Sequence, residues 1–199
     1  MRWEDSDTEF PPGLPMLPAA WYRRPTLDVA RDLPGRILVK REGGALLAAR
    51  IVEVEAYHER GDGASHSRNG RTPRNDAMFR AGGVLYVYFI YGMHFCMNVV
   101  TEDEGVGAAV LLRAAEPLRG VDIMRERRGA AARERALLQG PARLCQAFAI
   151  TRAHDGLPLD GTVLGILDTP PASEADILRG PRIGIRHSTD LPWRFYLKP

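Results

Sequence analysis

Residues 83–100, GVLYVYFIYGMHFCMNVV, constrain the fold more than any other stretch of this chain. Two runs of β-branched and aromatic residues flank Tyr91-Gly92-Met93-His94, and such runs read as the arms of a β-hairpin. Gly92 suits the first central position of a two-residue type II′ turn, which needs a positive φ. That turn would pair residue 88 with residue 97 and leave Asn98 on the face opposite Tyr88. Three of the six tyrosines, Tyr86, Tyr88 and Tyr91, fall within this hairpin. A tip of tyrosine, methionine and histidine is apolar for a turn that meets only water. It either folds back onto the protein's own core or is built to enter something else.

At 199 residues and 45% hydrophobic content the chain can bury one full core. Residues 1–20 begin acidic, carry Pro11, Pro12, Pro15 and Pro18 and show no periodicity, so they read as a flexible leader to a single domain over 21–199. No run reaches the ~18 apolar residues of a membrane helix. The acidic N-terminus does not resemble a signal peptide, so a cytoplasmic or nucleoid location and no membrane partner are expected. Cys96 and Cys145 stand in apolar surroundings and read as buried free thiols. His58 and His66 are eight residues apart with no HExxH or Cys/His cluster, so neither a metal nor a cofactor is expected.

Net charge is only +2, but of 27 basic residues just two, Lys40 and Lys198, are lysines. The basic surface is therefore guanidinium, which forks onto phosphates and stacks on flat rings. Arginines concentrate in residues 60–80 and 119–135, on either side of the hairpin in sequence, and both stretches are candidates for phosphate contact.

Thr26 reads as the N-cap of a short helix over 27–32. Strands are expected at 36–40 and 45–57, joined by Gly43-Gly44. In RIVEVEAYH strict alternation places Ile51, Glu53, Glu55 and Tyr57 on one face and Val52, Val54 and Ala56 on the other, core-facing one. The glycine-rich, basic stretch 58–83 is long for a connection in a compact domain, a length associated with function, and Asn75 or Asp76 is placed to cap one helical turn ending at Phe79. Beyond the hairpin follow an acidic turn at 101–107, a strand at 108–113, helical pieces at 121–128 and 133–138, and a helix opened by Gly140-Pro141. That helix carries Leu144, Cys145 and Phe148 at core spacing. Final strands are expected at 162–167, 182–186 and 194–197. Strands outnumber helices without regular βα alternation, which predicts an α+β domain whose sheet is mostly antiparallel.

Several runs in this order resemble the alkyladenine (3-methyladenine) DNA glycosylase family, the single-domain kind without a helix-hairpin-helix. They are RIVEVEAY (50–57), SHSRNGRTPRN (65–75), LYVYFIYGMHFCMN (85–98), LLRAAEPLRG (111–120), GPARLCQAFAI (140–150) and RFYL (194–197), and the likeness spans about 31–196. It implies a curved sheet with surrounding helices and a protruding hairpin, and a monomeric repair enzyme acting on damaged purines in double-stranded DNA without a cofactor. It marks Glu55 as the general base, with Glu53 the competitor two residues earlier, and Arg113 as the arginine that helps hold the water and a nearby phosphate. Tyr57 and Tyr88 become the pocket walls, His66 a hydrogen-bond partner, and Asn98 the asparagine that disfavours guanine. Tyr91 becomes the wedge that fills the gap left by a flipped nucleotide. Arg68, Arg71, Arg74, Met93 and His94 would meet the DNA backbone and groove. Two departures, His94 where relatives often carry an aromatic and a slightly longer 101–107 turn, bear on substrate range. A non-catalytic nucleic-acid-binding module would use the same arginines and aromatics without needing Glu55. A glycosidase of free nucleosides would need neither the basic loops nor the aromatic tip.

Overall fold

The spine of the protein is β2 (Ala45–His58), a 14-residue strand long enough to be paired by three others. Along one edge it pairs with β5 (Ala108–Arg119). Along the other it pairs first with β1 (Ile37–Glu42) and then with β8 (Arg194–Leu197). The hairpin strands β3 (Leu85–Ile90) and β4 (His94–Val100) extend the sheet beyond β5. The strands β6 (Leu164–Ile166) and β7 (Ile177–Gly180) add to β1 and β8. This curved sheet has eight strands in the order β3-β4-β5-β2-β1-β6, with β8 and β7 branching from β2. All the pairings just described are antiparallel, and four short helices accompany them: α1 (Ala19–Tyr22), α2 (Thr26–Asp32), α3 (Val121–Arg128) and α4 (Pro141–Ala147). The domain is α+β as expected. The computed structural model describes residues 15–129 and 132–198, and among them no helix is long and apolar enough to cross a membrane.

One face of the sheet carries the core. Val54 and Ala56 of β2, Leu85 and Val87 of β3, Met97 and Val99 of β4, and Val110 and Leu112 of β5 join Met124 of α3 and Leu144 and Phe148 at α4 in a single buried cluster. Cys96 and Cys145 are both free and buried. Lys40 is buried too, its ammonium donating to the carbonyls of Phe148 at 2.9 Å and Ala149 at 3.3 Å and pairing with Glu42 at 3.1 Å. One of the two lysines thus caps the C-terminal end of α4, where carbonyls lack helical partners and a cation is favoured.

Several expectations shift in the structure. Alternation on β2 breaks at Val52, which has no partner between the Ile51–Ala115 and Glu53–Ala114 pairs. This bulge turns Ile51 into the core with Val54 and Ala56, while Glu53 and Glu55 stay on the other face. The hairpin closes over a three-residue loop, Tyr91 to Met93, rather than the expected two-residue turn, with Ile90 paired to His94. Tyr91 and Gly92 both have positive φ, 53° and 69°, and Met93 N donates to Ile90 O at 3.3 Å, so Gly92 is the second central residue. Tyr88 therefore pairs with Cys96 rather than residue 97, and Tyr86 with Asn98, which brings Tyr88 and Asn98 to one face. No strand forms at 182–186; the strand is β7, and Pro181, with no N–H, ends it. The 133–138 helical piece is a single turn, Glu134–Ala136. Thr26 is the first helical residue rather than the cap, and its hydroxyl engages Thr101 and Glu102. Of the expected leader, residues 1–14 lie outside the described residues. Residues 16 and 17 are fixed: Met16 bridges Leu167, and Leu17 is buried with its N–H on Ile166 O.

Candidate active site

Opposite the core, register assembles a row of side chains from distant parts of the sequence. Tyr86, Asn98, Leu111, Glu55 and Arg194 are successive cross-strand partners through β3, β4, β5, β2 and β8. They share one face, because side chains directly opposite in a ladder point the same way. Their neighbours at a spacing of two, Tyr57 and Tyr88 among them, line a cleft of about 530 Å³ over this row.

Glu55 is fully buried beneath the cleft and is held by three donors. Its Oε2 accepts from the Tyr57 hydroxyl at 2.8 Å and from Arg113 Nη1 at 3.2 Å. Its Oε1 accepts from the backbone N–H of Ile183 at 2.7 Å. Tyr57, Arg113 and Ile183 all line the cleft, so the carboxylate lies directly behind its wall. A carboxylate has about four lone-pair sites, which leaves one for a further donor. Glu53 is held differently, by Arg113 Nε and Arg194 Nη1, each at 3.1 Å. Arg113 thus bridges the two carboxylates.

Tyr88, His66, Asn98, Tyr91, His94 and Arg68 also line the cleft. His66 Nδ1 meets the Tyr86 hydroxyl at 3.0 Å, and its ring stands edge-on to Tyr88 at 4.6 Å. Asn98 is buried, and its Nδ2 donates to the Tyr86 carbonyl at 3.0 Å, which fixes which way the amide points. The loop bearing His66 is clamped by Asn75, whose amide donates to the carbonyls of His66 (2.9 Å) and Gly70 (3.1 Å) and accepts from Thr72 N (2.6 Å). Asn75 thus acts as a loop clamp rather than as the side-chain cap expected there. Ser67 anchors the same loop by donating to Gly107 O at 2.6 Å; a Cβ at Gly107 would approach Ser67 and Phe79 to 2.5 and 2.7 Å, so only glycine fits.

Electrostatics follow from this burial. Burial and then the negative charge of Glu55 push the Tyr57 phenol well above its usual range. Burial does the same to Tyr88, and lifts Tyr86 to about 12. All three tyrosines stay neutral hydrogen-bonding walls. His66 is lowered by burial within the cleft and by the Arg74 and Arg68 charges, which favours neutral imidazole at pH 7.

At the cleft mouth the hairpin tip is open to solvent, with Tyr91 81% and Met93 70% exposed. The tip does not fold back onto the core. Arg74 is exposed outside the cleft, and Arg71 pairs with Asp76 at 2.7 Å on the surface. The 119–135 arginines part from expectation. Arg127 reaches Glu42 and Ala147 O, Arg128 reaches Leu137 O and Gln146, and Arg125 pairs with Asp122 and Glu134, so these three hold α3 to its neighbours. Sequence reasoning missed residues 183–187, all of which line the cleft. Their alternating RIGIR pattern imitates a strand, and only the flanking Pro181 and internal Gly184 signalled otherwise. It also missed Cys96 as a lining residue and the fully buried Asp62–Arg182 ion pair.

The site thus sets a buried carboxylate behind aromatic walls, next to an exposed aromatic hairpin tip. The profile of the methylpurine-DNA glycosylase family matches residues 20–199. A protein of Burkholderia lata is 48% identical over 197 residues, covering 98% of this chain and 93% of its own length. One of Chlorobaculum parvum is 50% identical over 182 residues (91% and 87%), and one of Carboxydothermus hydrogenoformans 48% over 184 (92% and 95%). The names of all three propose a 3-methyladenine DNA glycosylase. The chain belongs to the methylpurine-DNA glycosylase family.

Proposed function

We propose that this glycosylase flips alkylated or deaminated purines, 3-methyladenine among them, out of double-stranded DNA and hydrolyses their N-glycosidic bond, leaving an abasic site. The observation that carries this reading is Glu55, a buried carboxylate with three donors in place and one lone-pair site left for water. Glu55 takes a proton from that water as its oxygen attacks C1′, and the electrons of the C1′–N bond leave with the purine. Alkylation weakens this bond by placing positive charge on the leaving purine. Arg113 holds Glu55 and the water. Tyr57 and Tyr88 sandwich the flipped base, and His66 hydrogen-bonds to it. The fixed amide of Asn98 rejects normal guanine, whose exocyclic amino group has no place there.

Tyr91 enters the minor groove and fills the space the nucleotide vacates, with Met93 and His94 beside it. Arg68, Arg71 and Arg74 meet phosphates. The enzyme acts as a monomer in the cytoplasm or nucleoid, needs no cofactor and uses water rather than an amine as nucleophile.

Glu55→Gln tests this, because it keeps size and hydrogen bonding but removes the base. Excision from a lesion-bearing duplex should fall by about 100-fold or more while duplex binding persists. Retained turnover above about a tenth of wild type would assign the base elsewhere.

A further inference from the structure

Behind the Tyr57 wall lies a charged pair for which the reaction described above has no use. Arg182 and Asp62 are both fully buried and joined by two parallel hydrogen bonds, Nη1 to Oδ2 at 2.6 Å and Nη2 to Oδ1 at 2.7 Å. Neither lines the cleft. Burying two charges is costly, and apolar residues of similar volume would often serve stability as well or better, so such a pair calls for another reason. Its contacts supply one. The guanidinium lies over two aromatic rings, 4.6 Å from the centre of Tyr57 and 5.3 Å from that of Trp193. With Tyr57 facing the cleft and Arg182 sealed from it, the guanidinium supports the rear of the wall. Nη1 also donates to the Ala56 carbonyl at 2.9 Å, between Glu55 and Tyr57 in the chain. Asp62 in turn accepts from the N–H groups of His58 at 3.3 Å and Ala64 at 3.0 Å, folding the loop that leads to His66. The residue after Arg182 is Ile183, whose N–H holds Glu55 Oε1.

One ion pair therefore ties three separate segments: the end of β2, the 58–66 loop and the 182–188 segment. Two of the three hydrogen bonds on Glu55, from the Tyr57 hydroxyl and from Ile183 N–H, come from groups it fixes directly or through one peptide bond. We propose that Asp62 and Arg182 are a positioning pair for the excision step, setting the orientation of the Glu55 carboxylate through Tyr57 and Ile183. They touch neither substrate nor water. The inference rests on the glycosylase reading and adds to it a second layer whose loss slows chemistry while DNA binding survives.

Single-turnover excision with enzyme in excess separates the possibilities, since its rate constant reports positioning, while active-site titration with an uncleavable lesion duplex counts folded enzyme. Wild type sets the reference, and a wild type that excises nothing would sink the glycosylase reading itself. With active wild type, Asp62→Asn keeps an acceptor for the loop but loses the charge and the fork, and should slow the rate constant at least about tenfold. Asp62→Ala should approach about 100-fold, the scale of an ångström's misplacement. Arg182→Lys keeps the charge but neither fork nor stack, and should be as slow as Asp62→Asn. Duplex affinity should stay within about threefold of wild type. A lowered active fraction at an unchanged rate constant would make the pair merely structural and overturn the proposal. If these variants do not accumulate as folded protein, Trp193→Leu decides: it removes half the stack from a partly exposed position and leaves both charges paired. It should slow the rate constant about threefold or more at unchanged affinity, and a wild-type rate there would refute the positioning role.

Discussion

Tyr91→Ala separates what the hairpin tip does for the fold from what it does for the reaction. Tyr91 is 81% exposed, so about a fifth of its side chain is buried. A fifth of the roughly 200 Å² an aromatic side chain can bury is about 40 Å², worth about 1 kcal/mol at about 25 cal/mol per Å². Backbone strain does not change, because alanine at a φ of 53° meets the same left-handed penalty as tyrosine. For a domain of this size the expected fall in Tm is therefore about 2–4 °C. The loss on lesion DNA should be larger. An aromatic stacked on bases is worth about 1–3 kcal/mol, which corresponds to a Kd roughly 5- to 150-fold weaker. Fluorescence anisotropy on a duplex carrying an uncleavable lesion analogue measures the affinity, and a fluorescent base at the lesion reports the flipped population. An affinity within twofold of wild type with an unchanged flipping signal would refute the wedge. So would a Tm loss well beyond about 8 °C, which would mean the tip is part of the core after all.

Glu53→Gln should leave excision within about tenfold of wild type, since Glu53 only braces Arg113 and Arg194; a loss equal to that of Glu55→Gln would move the general base. Glu102 is held near 2 by the hydrogen bond from His58 and, against burial, by Thr26, while the Glu102 carboxylate raises His58 despite burial. Glu102 stabilises the fold above its ordinary value of 4.5 and loses this as pH falls towards 2. His58 contributes fully below 6.5 and loses it as pH rises through its raised value. The Tm cost of Glu102→Gln should thus be largest between 4.5 and 6.5 and smaller near about pH 9, and equal costs at both would refute the coupling. Borohydride added during turnover should trap no covalent complex, because the Lys40 amine is buried and committed to three oxygens; an adduct lost in Lys40→Ala would establish an imine route.

Strict alternation located β2, and runs of β-branched and aromatic residues located β3 and β4, because each strand has one face in the core; β5, expected over 108–113, runs on to Arg119. The failures came where backbone geometry departs from the regular pleat. Nothing in the side chain of Val52 announces a bulge, yet the bulge lets Ile51 join the core while Glu53 and Glu55 keep to the opposite face of the sheet. At the tip, the expectation of a two-residue turn at Gly92-Met93 missed a three-residue loop in which positive φ is not left to glycine alone. The structure asks tyrosine to take it as well, in a position with 81% exposure and little packing to compensate. Such a conformation in a bulky residue is uncommon and recurs where function demands it. Closing the hairpin over three residues instead of two changes every cross-strand partner by one, and that odd shift is what carries Asn98 to the side of Tyr88.

The same reasoning explains why the inner layer of the site was illegible. Glu55, Tyr57, His66, Tyr88 and Asn98 lie in runs whose residue types and order resemble a known family, and each could be named before any coordinates existed. Asp62 and Arg182 stand 120 residues apart, the first inside a glycine-rich loop that looked like a surface, the second just after a proline in a stretch that mimicked a strand. A buried ion pair is defined by what seals it, here Tyr57 and Trp193, and sealing is a property of the assembled fold. Charge runs mislead for a related reason: arginines at 127 and 128 read as part of a phosphate patch, but their partners Glu42, Gln146 and the carbonyls of Leu137 and Ala147 lie elsewhere in the chain. A guanidinium satisfied by protein oxygens has already exchanged its hydration for fixed partners. To meet a phosphate it would have to give those up.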